Sequence, residues 1–370
     1  MSTLRLPLSI TAALLGSTAI ASADVPNVAA DIAPVHSLVA RVMDAVGTPN
    51  LIIPPGASPH EYSLRPSEAA ALQDADLVFW LGEGLSPWLE SAVETLADDA
   101  TVTTLLEVDA TELLDFREGA LFEAHDHDPD EDHDEEHDHE EDHEDDEEHD
   151  HDEDEDHDHE ENHDEDEDHD HEEDHDEDEE HDHDEDEDHD HDDEHGHSQG
   201  DHDPHAWLSP SNAAAWLNVI AAQLSAADPD NAGAYFANAA AGIAELEALN
   251  AEINSILDAV RGGSFIVFHD GYQYFEVAYD FPASGAISIG DASDPSPARI
   301  AEIQDRIRDE NVGCVLSEPQ FNPGLVATVL DGTDAATAVV DPLGAALEPG
   351  AALYPQVMRA IATTLAECLE

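Results

Sequence analysis

Apolar and polar positions divide the chain into two blocks that can fold, separated by a stretch that cannot. In the first block Val25–Ile32 reads as a strand, and Pro34 opens a helix with Leu38, Val42 and Val46 on one face. Leu51–Ile53 reads as a short buried strand, and Pro54–His60 as a loop rich in Pro and Gly. Pro66 starts a helix that runs on through Ser67–Ala75, and Asp76–Leu81 is a strand. Ser86–Leu96 is a helix with Ser86 as its cap and Pro87 at its first position, and Val102–Val108 is a further strand. The pattern resumes at Asp203–Pro210, which leads into a helix over Ser211–Ala226.

Pro229 opens the longest helical stretch, to about Val260. Ile243, Leu246, Leu249, Ile253, Ile256, Leu257 and Val260 recur along it at helical spacing. At 1.5 Å per residue it spans on the order of 45 Å, too long for a crossover helix in a small sheet. It reads as a beam connecting two lobes. The second block repeats the alternation: strands at Ser264–Phe268, Gly285–Ile289, Gly313–Ser317 and Ala336–Val340, with helices at Tyr272–Tyr279, Pro297–Asn311, Pro323–Leu330 and Tyr354–Leu369. Strands alternating with helices predict an α/β fold: two similar lobes with mostly parallel sheets, flanked by helices and joined by one long rigid helix. Ligands of such sheets bind beyond the carboxyl ends of the strands.

Between the blocks lies His125–Asp203, almost nothing but His, Asp and Glu. It has no apolar side chains to bury and its carboxylates repel one another, so it is expected to be a disordered loop of the first lobe. His-Asp-His recurs as His125 and His127, His137 and His139, His149 and His151, His157 and His159, His169 and His171, His181 and His183, and His189 and His191. Two twelve-residue units, Asp152–His163 and Asp164–His175, stand in tandem, but with no apolar face to stack they do not make a solenoid. A plain acidic spacer needs no interspersed imidazoles, and the mixture reads as an auxiliary metal-binding tract.

The 370 residues carry nine Lys and Arg, 92 Asp and Glu, and a formal charge of −83. The run holds 52 of the acids, so the remainder is itself strongly acidic. That argues against nucleic acid and anionic membrane surfaces as partners and favours cations. Met1–Arg5, the apolar stretch Leu6–Ile20 and Ala21-Ser22-Ala23 together read as a signal peptide over residues 1–23, and hence as export. Cys314 and Cys368 are then candidate disulfide partners, with two buried free thiols as the alternative.

Of the 25 His, 21 lie between His125 and His202, which leaves His36, His60, His205 and His269. His60 lies in a loop after a strand, His205 just before a helix, and His269 directly after a strand, as does Asp341. His36 sits at a helix start and reads as a packed or surface helix residue. Three imidazoles with a carboxylate or water suit tetrahedral zinc and disfavour manganese or magnesium. Glu61 and Glu318 are possible acid–base groups, but the chain has no H-E-x-x-H, no G-x-S-x-G and no P-loop, which argues against a hydrolase.

Five ordered motifs now come together: Pro54–Pro66 (PPGASPHEYSLRP), Asp203–Pro210 (DPHAWLSP), Phe268–Phe275 (FHDGYQYF), Cys314–Phe321 (CVLSEPQF) and Asp341–Gly344 (DPLG). The chain resembles the periplasmic metal-binding proteins of ABC transporters, in the zinc-specific branch of the cluster A-I (cluster 9) family. The resemblance implies two α/β lobes with the metal between them. It implies delivery of zinc to a membrane permease driven by a cytoplasmic ATPase, a monomeric protein, and no catalysis. It implies His60, His205 and His269 as ligands and Asp341 or water as the fourth. Some zinc members have a glutamate before the first His; here that position is Pro59. It also implies that Cys314 and Cys368 form a disulfide, and that the run is the His/acid-rich loop of the first lobe. The domains follow as 1–23 signal peptide, 24–228 first lobe (124–203 the loop), 229–261 connecting helix and 262–370 second lobe. The alternative reading is a periplasmic zinc buffer that works mainly through the run.

Overall fold

In the computed structural model, which describes residues 25–117, 122, 202–288 and 295–370, the strand–helix alternation resolves into two parallel sheets of four strands. The first contains β1 (Val28–Ala30), β2 (Asn50–Leu51), β3 (Leu77–Trp80) and β4 (Thr101–Thr104) in the order β2-β1-β3-β4. The second contains β5 (Phe265–His269), β6 (Ala286–Ser288), β7 (Cys314–Ser317) and β8 (Ala336–Val339) in the order β6-β5-β7-β8. The two orders are the same, so the lobes repeat one topology. All described pairings within the sheets are parallel. The central strands β1, β3 and β5 are continuous apolar runs buried along their length, as a sheet covered on both faces requires. The edge strands β4 and β8 are largely exposed.

Helices cover both sheets. The first lobe carries α1 (Ala33–Val42), α2 (Pro66–Gln73), α3 (Pro87–Leu96) and α4 (Pro210–Ala227); the second carries α6 (Gln273–Tyr279), α7 (Pro297–Asp309), α8 (Pro323–Leu330) and α9 (Leu353–Leu369). Proline stands in the first turn of α1, α2, α3, α4, α7 and α8, where its missing N–H costs nothing. Between the lobes runs α5 (Ala232–Asp258), 27 residues and about 40 Å long. Its buried stripe of Tyr235, Ala239, Gly242, Leu246, Leu249, Ile253 and Leu257 packs on α1 and α4 of one lobe and α9 of the other. An ideal Cβ on Gly242 would meet Leu217 of α4 at 3.0 Å and Arg41 of α1 at 3.3 Å, so α5 packs closely on both helices there. One apolar core runs through both lobes, and separate clusters fill the outer faces of the two sheets.

Several local expectations are corrected. Val25–Ile32 forms a strand only over Val28–Ala30, since Pro26 cannot donate to a ladder and α1 already begins at Ala33. The second strand is Asn50–Leu51, although Ile52 and Ile53 still donate to Ala30 and Asp31 carbonyls. The fourth strand ends at Thr104, and Leu105–Glu107 turns into a 3₁₀ helix that buries Leu105. The long helix begins at Ala232, because Pro229–Asn231 is a separate 3₁₀ turn. Ser86 precedes α3 but does not cap it with its side chain; its hydroxyl donates instead to the Pro59 carbonyl at 2.9 Å. Cys314 at the start of β7 and Cys368 in α9 form a disulfide.

Candidate metal centre

In each sheet the chain leaves the first strand for one neighbour and returns for the other, so the carboxyl ends of β1/β3 and of β5/β7 are switch points. In the first lobe this place is structural. Asp31, just beyond β1, accepts from its neighbour's Ile32 N–H and from Leu81 N–H beyond β3, both at 2.7 Å. Burial pushes the Asp31 carboxyl up to about 7, with the backbone donors opposing the shift. In the second lobe the same place carries the chemistry. His269 is the last residue of β5, and Glu318 follows the last residue of β7. The adjacency of those two strands brings His269 Nδ1 to 2.6 Å from Glu318 Oε1, with both side chains buried.

His205 precedes the 3₁₀ turn Ala206–Leu208. Its Nδ1 lies 2.7 Å from Asp203 Oδ1, which also accepts from the His205 N–H at 2.9 Å. Each imidazole thus donates from Nδ1 to a carboxylate, which orients the ring and makes Nε2 the candidate ligand atom. The two Nε2 atoms face each other at 3.3 Å. For Zn–N bonds of about 2.05 Å, the edge of a ligand tetrahedron is about 3.3 Å.

His60 comes to the same place from the loop after β2, its ring centre 5.6 Å from that of His205. Pro59 anchors that loop by accepting from Ser86 Oγ and from Trp88 Nε1 at 2.7 Å. Among the described residues no three His, Cys, Asp or Glu side chains stand as a finished ligand set. The facing pair is preset, and His60 sits beside it. All three line one small cavity of about 20 Å³, walled by Trp207, Phe321, Pro342 and Leu343. That volume is enough for a single ion or water. The apolar wall lowers the local dielectric around any ion held there.

The other expected positions fall differently. Asp341 does not line the cavity. Its carboxylate accepts from Leu343, Gly344 and Ala345 N–H groups and from Gln320 Nε2, and so shapes the loop that presents Pro342 and Leu343. His36 is buried in α1, with Nε2 3.1 Å from the Pro49 carbonyl, and burial lowers its pKa. Glu61 is exposed, and Glu318 is engaged by His269. The run imidazoles from His125 to His197, the signal segment and Ile289 lie outside the described residues; His202, the last of the run, is exposed and pairs with Asp115. Asp203 and Glu318 as orienting partners were not singled out from sequence. Asp203 lay in plain view two residues from His205, whereas Glu318 is 49 residues from His269 and needs the β5–β7 pairing to be known.

Two α/β lobes of one topology, a long helix between them and a small imidazole-lined cavity define a solute-binding protein built for a metal ion. The chain belongs to the family described as zinc-uptake complex component A, periplasmic, which it matches over residues 28–368. It is 42% identical over 362 residues to the high-affinity zinc uptake system protein ZnuA of Paracoccus denitrificans, covering 97% of each chain. To the protein of that name from Brucella abortus it is 42% identical over 343 residues, covering 93% of this chain and 91% of the other. Among solved structures it superposes on a ZnuA crystal structure with a TM-score of 0.63 at 20% identity, covering 94% of this chain and all of that one. A zinc-bound ZnuA lacking residues 138–173 of its own chain gives the same TM-score.

Proposed function

We propose that the protein captures one zinc ion through His60, His205 and His269, and hands it to the membrane permease of an ABC transporter driven by a cytoplasmic ATPase. The observation that carries this reading is the His205–His269 pair, whose Nε2 atoms stand a tetrahedral edge apart with both Nδ1 atoms committed to carboxylates. The relatives' names add the uptake system, and the family adds the periplasm. His60 completes the set by a small movement of its loop, and water takes the fourth position, since Asp341 is turned to its own loop. The protein works as a monomer after removal of residues 1–23. Its domains run 24–228 and 262–370, with 229–261 as the connecting helix, and the run gathers zinc beside the site.

The test is a zinc titration of the protein with residues 125–202 deleted, which should retain one tight site. His60→Ala, His205→Ala and His269→Ala should each weaken that site by two orders of magnitude or more, about 3 kcal/mol for a lost ligand. His36→Ala should leave it unchanged. Loss of tight binding in the folded deletion protein would transfer the function to the run, as a zinc buffer.

A further inference from the structure

The chain on either side of the acidic run forms a stem. Asp115 and His202 are bridged antiparallel, and the Asp203 N–H donates to the Leu114 carbonyl at 2.8 Å. The stem belongs to the first lobe, yet it is tied to α6 in the second. Leu114 N–H donates to the Tyr274 hydroxyl at 3.0 Å, and that hydroxyl donates to the Asp203 carbonyl at 2.8 Å. Arg117 makes the stronger tie. Its Nη1 and Nη2 donate to the two oxygens of Glu276 at 2.7 and 3.0 Å. Its Nε donates to Asp270 at 3.1 Å, and Nη2 donates to the other Asp270 oxygen. The Phe122 ring lies 3.6 Å from the guanidinium. The side chains of Asp270 and Glu276 are only 7% and 4% exposed, so the clamp is sheltered from solvent.

This clamp differs from the other ties between elements. Arg41–Glu245 and Arg359–Glu252 fasten α5 to α1 and to α9, their glutamates in solvent. Exposed pairs of that kind contribute little. Arg117 instead neutralises two buried carboxylates, whose separate burial would be costly. Asp270 directly follows His269, and the stem that carries Arg117 also carries Asp203, the partner of His205. Both preset imidazoles therefore hang from the elements that Arg117 joins.

We propose that Arg117 is a positioning residue for zinc capture: by clamping the stem to Asp270 and Glu276, it holds His205 and His269 a tetrahedral edge apart before the ion arrives. The inference rests on reading those imidazoles as zinc ligands. A planar guanidinium grips both carboxylates with paired hydrogen bonds, four in all, whereas an ammonium has three donors and no fork. Partners of metal ligands typically change affinity by 10–100-fold, and Arg117 acts through two of the segments that hold them.

The experiment uses the full chain with no more than one equivalent of zinc, so that the tightest site fills first, in competition with a chelator. Arg117→Gln, Arg117→Lys, Arg359→Gln and His269→Ala are compared with the wild type, with thermal melts of zinc-free and zinc-loaded protein alongside. The expected result is a zinc Kd raised about 10-fold or more in Arg117→Gln, still raised in Arg117→Lys, and unchanged in Arg359→Gln. The rise in Tm on loading should shrink for the two Arg117 variants and for His269→Ala, and not for Arg359→Gln. Wild-type affinity in Arg117→Gln, or equal loss of Tm with and without zinc, overturns the proposal. Should Arg117→Gln fail to melt cooperatively, Arg117→Lys decides alone, and wild-type affinity there overturns it. Tight binding by His269→Ala would overturn the ligand assignment itself; loss of zinc there with both Arg117 variants unaffected would overturn only the role of Arg117.

Discussion

An ideal Cβ on Gly271 lies 2.2 Å from Nε2 of His269, the atom that faces His205. The atom in the way is the far end of a ring that can rotate, so Gly271→Ala should turn the imidazole aside while the fold gives little. The zinc Kd should rise about 10–100-fold with the zinc-free Tm nearly unchanged; wild-type affinity would mean that the ring accommodates the methyl group without moving Nε2. Asp31 gives a prediction in pH. Its folded-state pKa is raised by burial from 3.8 to about 7, so the folded form favours the proton. Its contribution to stability is greatest in acid and is lost as pH rises to about 7. Between about pH 5 and pH 8 the wild type should lose on the order of 2–3 kcal/mol relative to Asp31→Asn, read from urea unfolding of zinc-free protein. A gap that widens in favour of the wild type would show that the Ile32 and Leu81 donors outweigh burial. The three His that line the cavity stood out in the sequence as imidazoles at strand ends and loops. Gly271 was visible only as part of a motif, since its role depends on a close approach that no pattern encodes.

At the level of elements, prolines in the first turn marked most helix starts, and unbroken apolar runs marked the buried central strands. The edge strands were legible as short apolar segments, but their ends and the 3₁₀ turns were not, because two or three residues carry no period. Ser86 shows the same limit: the expected cap forms its hydrogen bond with Pro59 because the His60 loop packs over the start of α3. The disulfide joins β7 to α9 across a sequence separation of 54 residues. Loop closure of that size is worth about 4 kcal/mol in the chain-entropy account. Replacing both Cys314 and Cys368 with Ala should lower the unfolding free energy by about that much while leaving the zinc Kd of the folded protein unchanged. A loss below about 1 kcal/mol would show that strain or residual structure in the unfolded chain offsets the cross-link.

Across the whole molecule, the acidic run draws attention because it holds most of the His, yet the preset pair lies outside it, between two lobes of one topology. The duplication was legible as a repeated strand–helix alternation with a long helix between the halves. The common core through both lobes was not, because it arises from α1, α5 and α9 packing together across more than 300 residues of sequence. The cavity accordingly draws His60 and His205 from one lobe and His269 from the other. Diffraction at the zinc absorption edge from crystals of the zinc-loaded protein tests this most directly. The account predicts one dominant anomalous peak about 2.0–2.1 Å from Nε2 of both His205 and His269 and bonded to the His60 imidazole. A dominant peak away from these three residues, with both lobes folded, would contradict it.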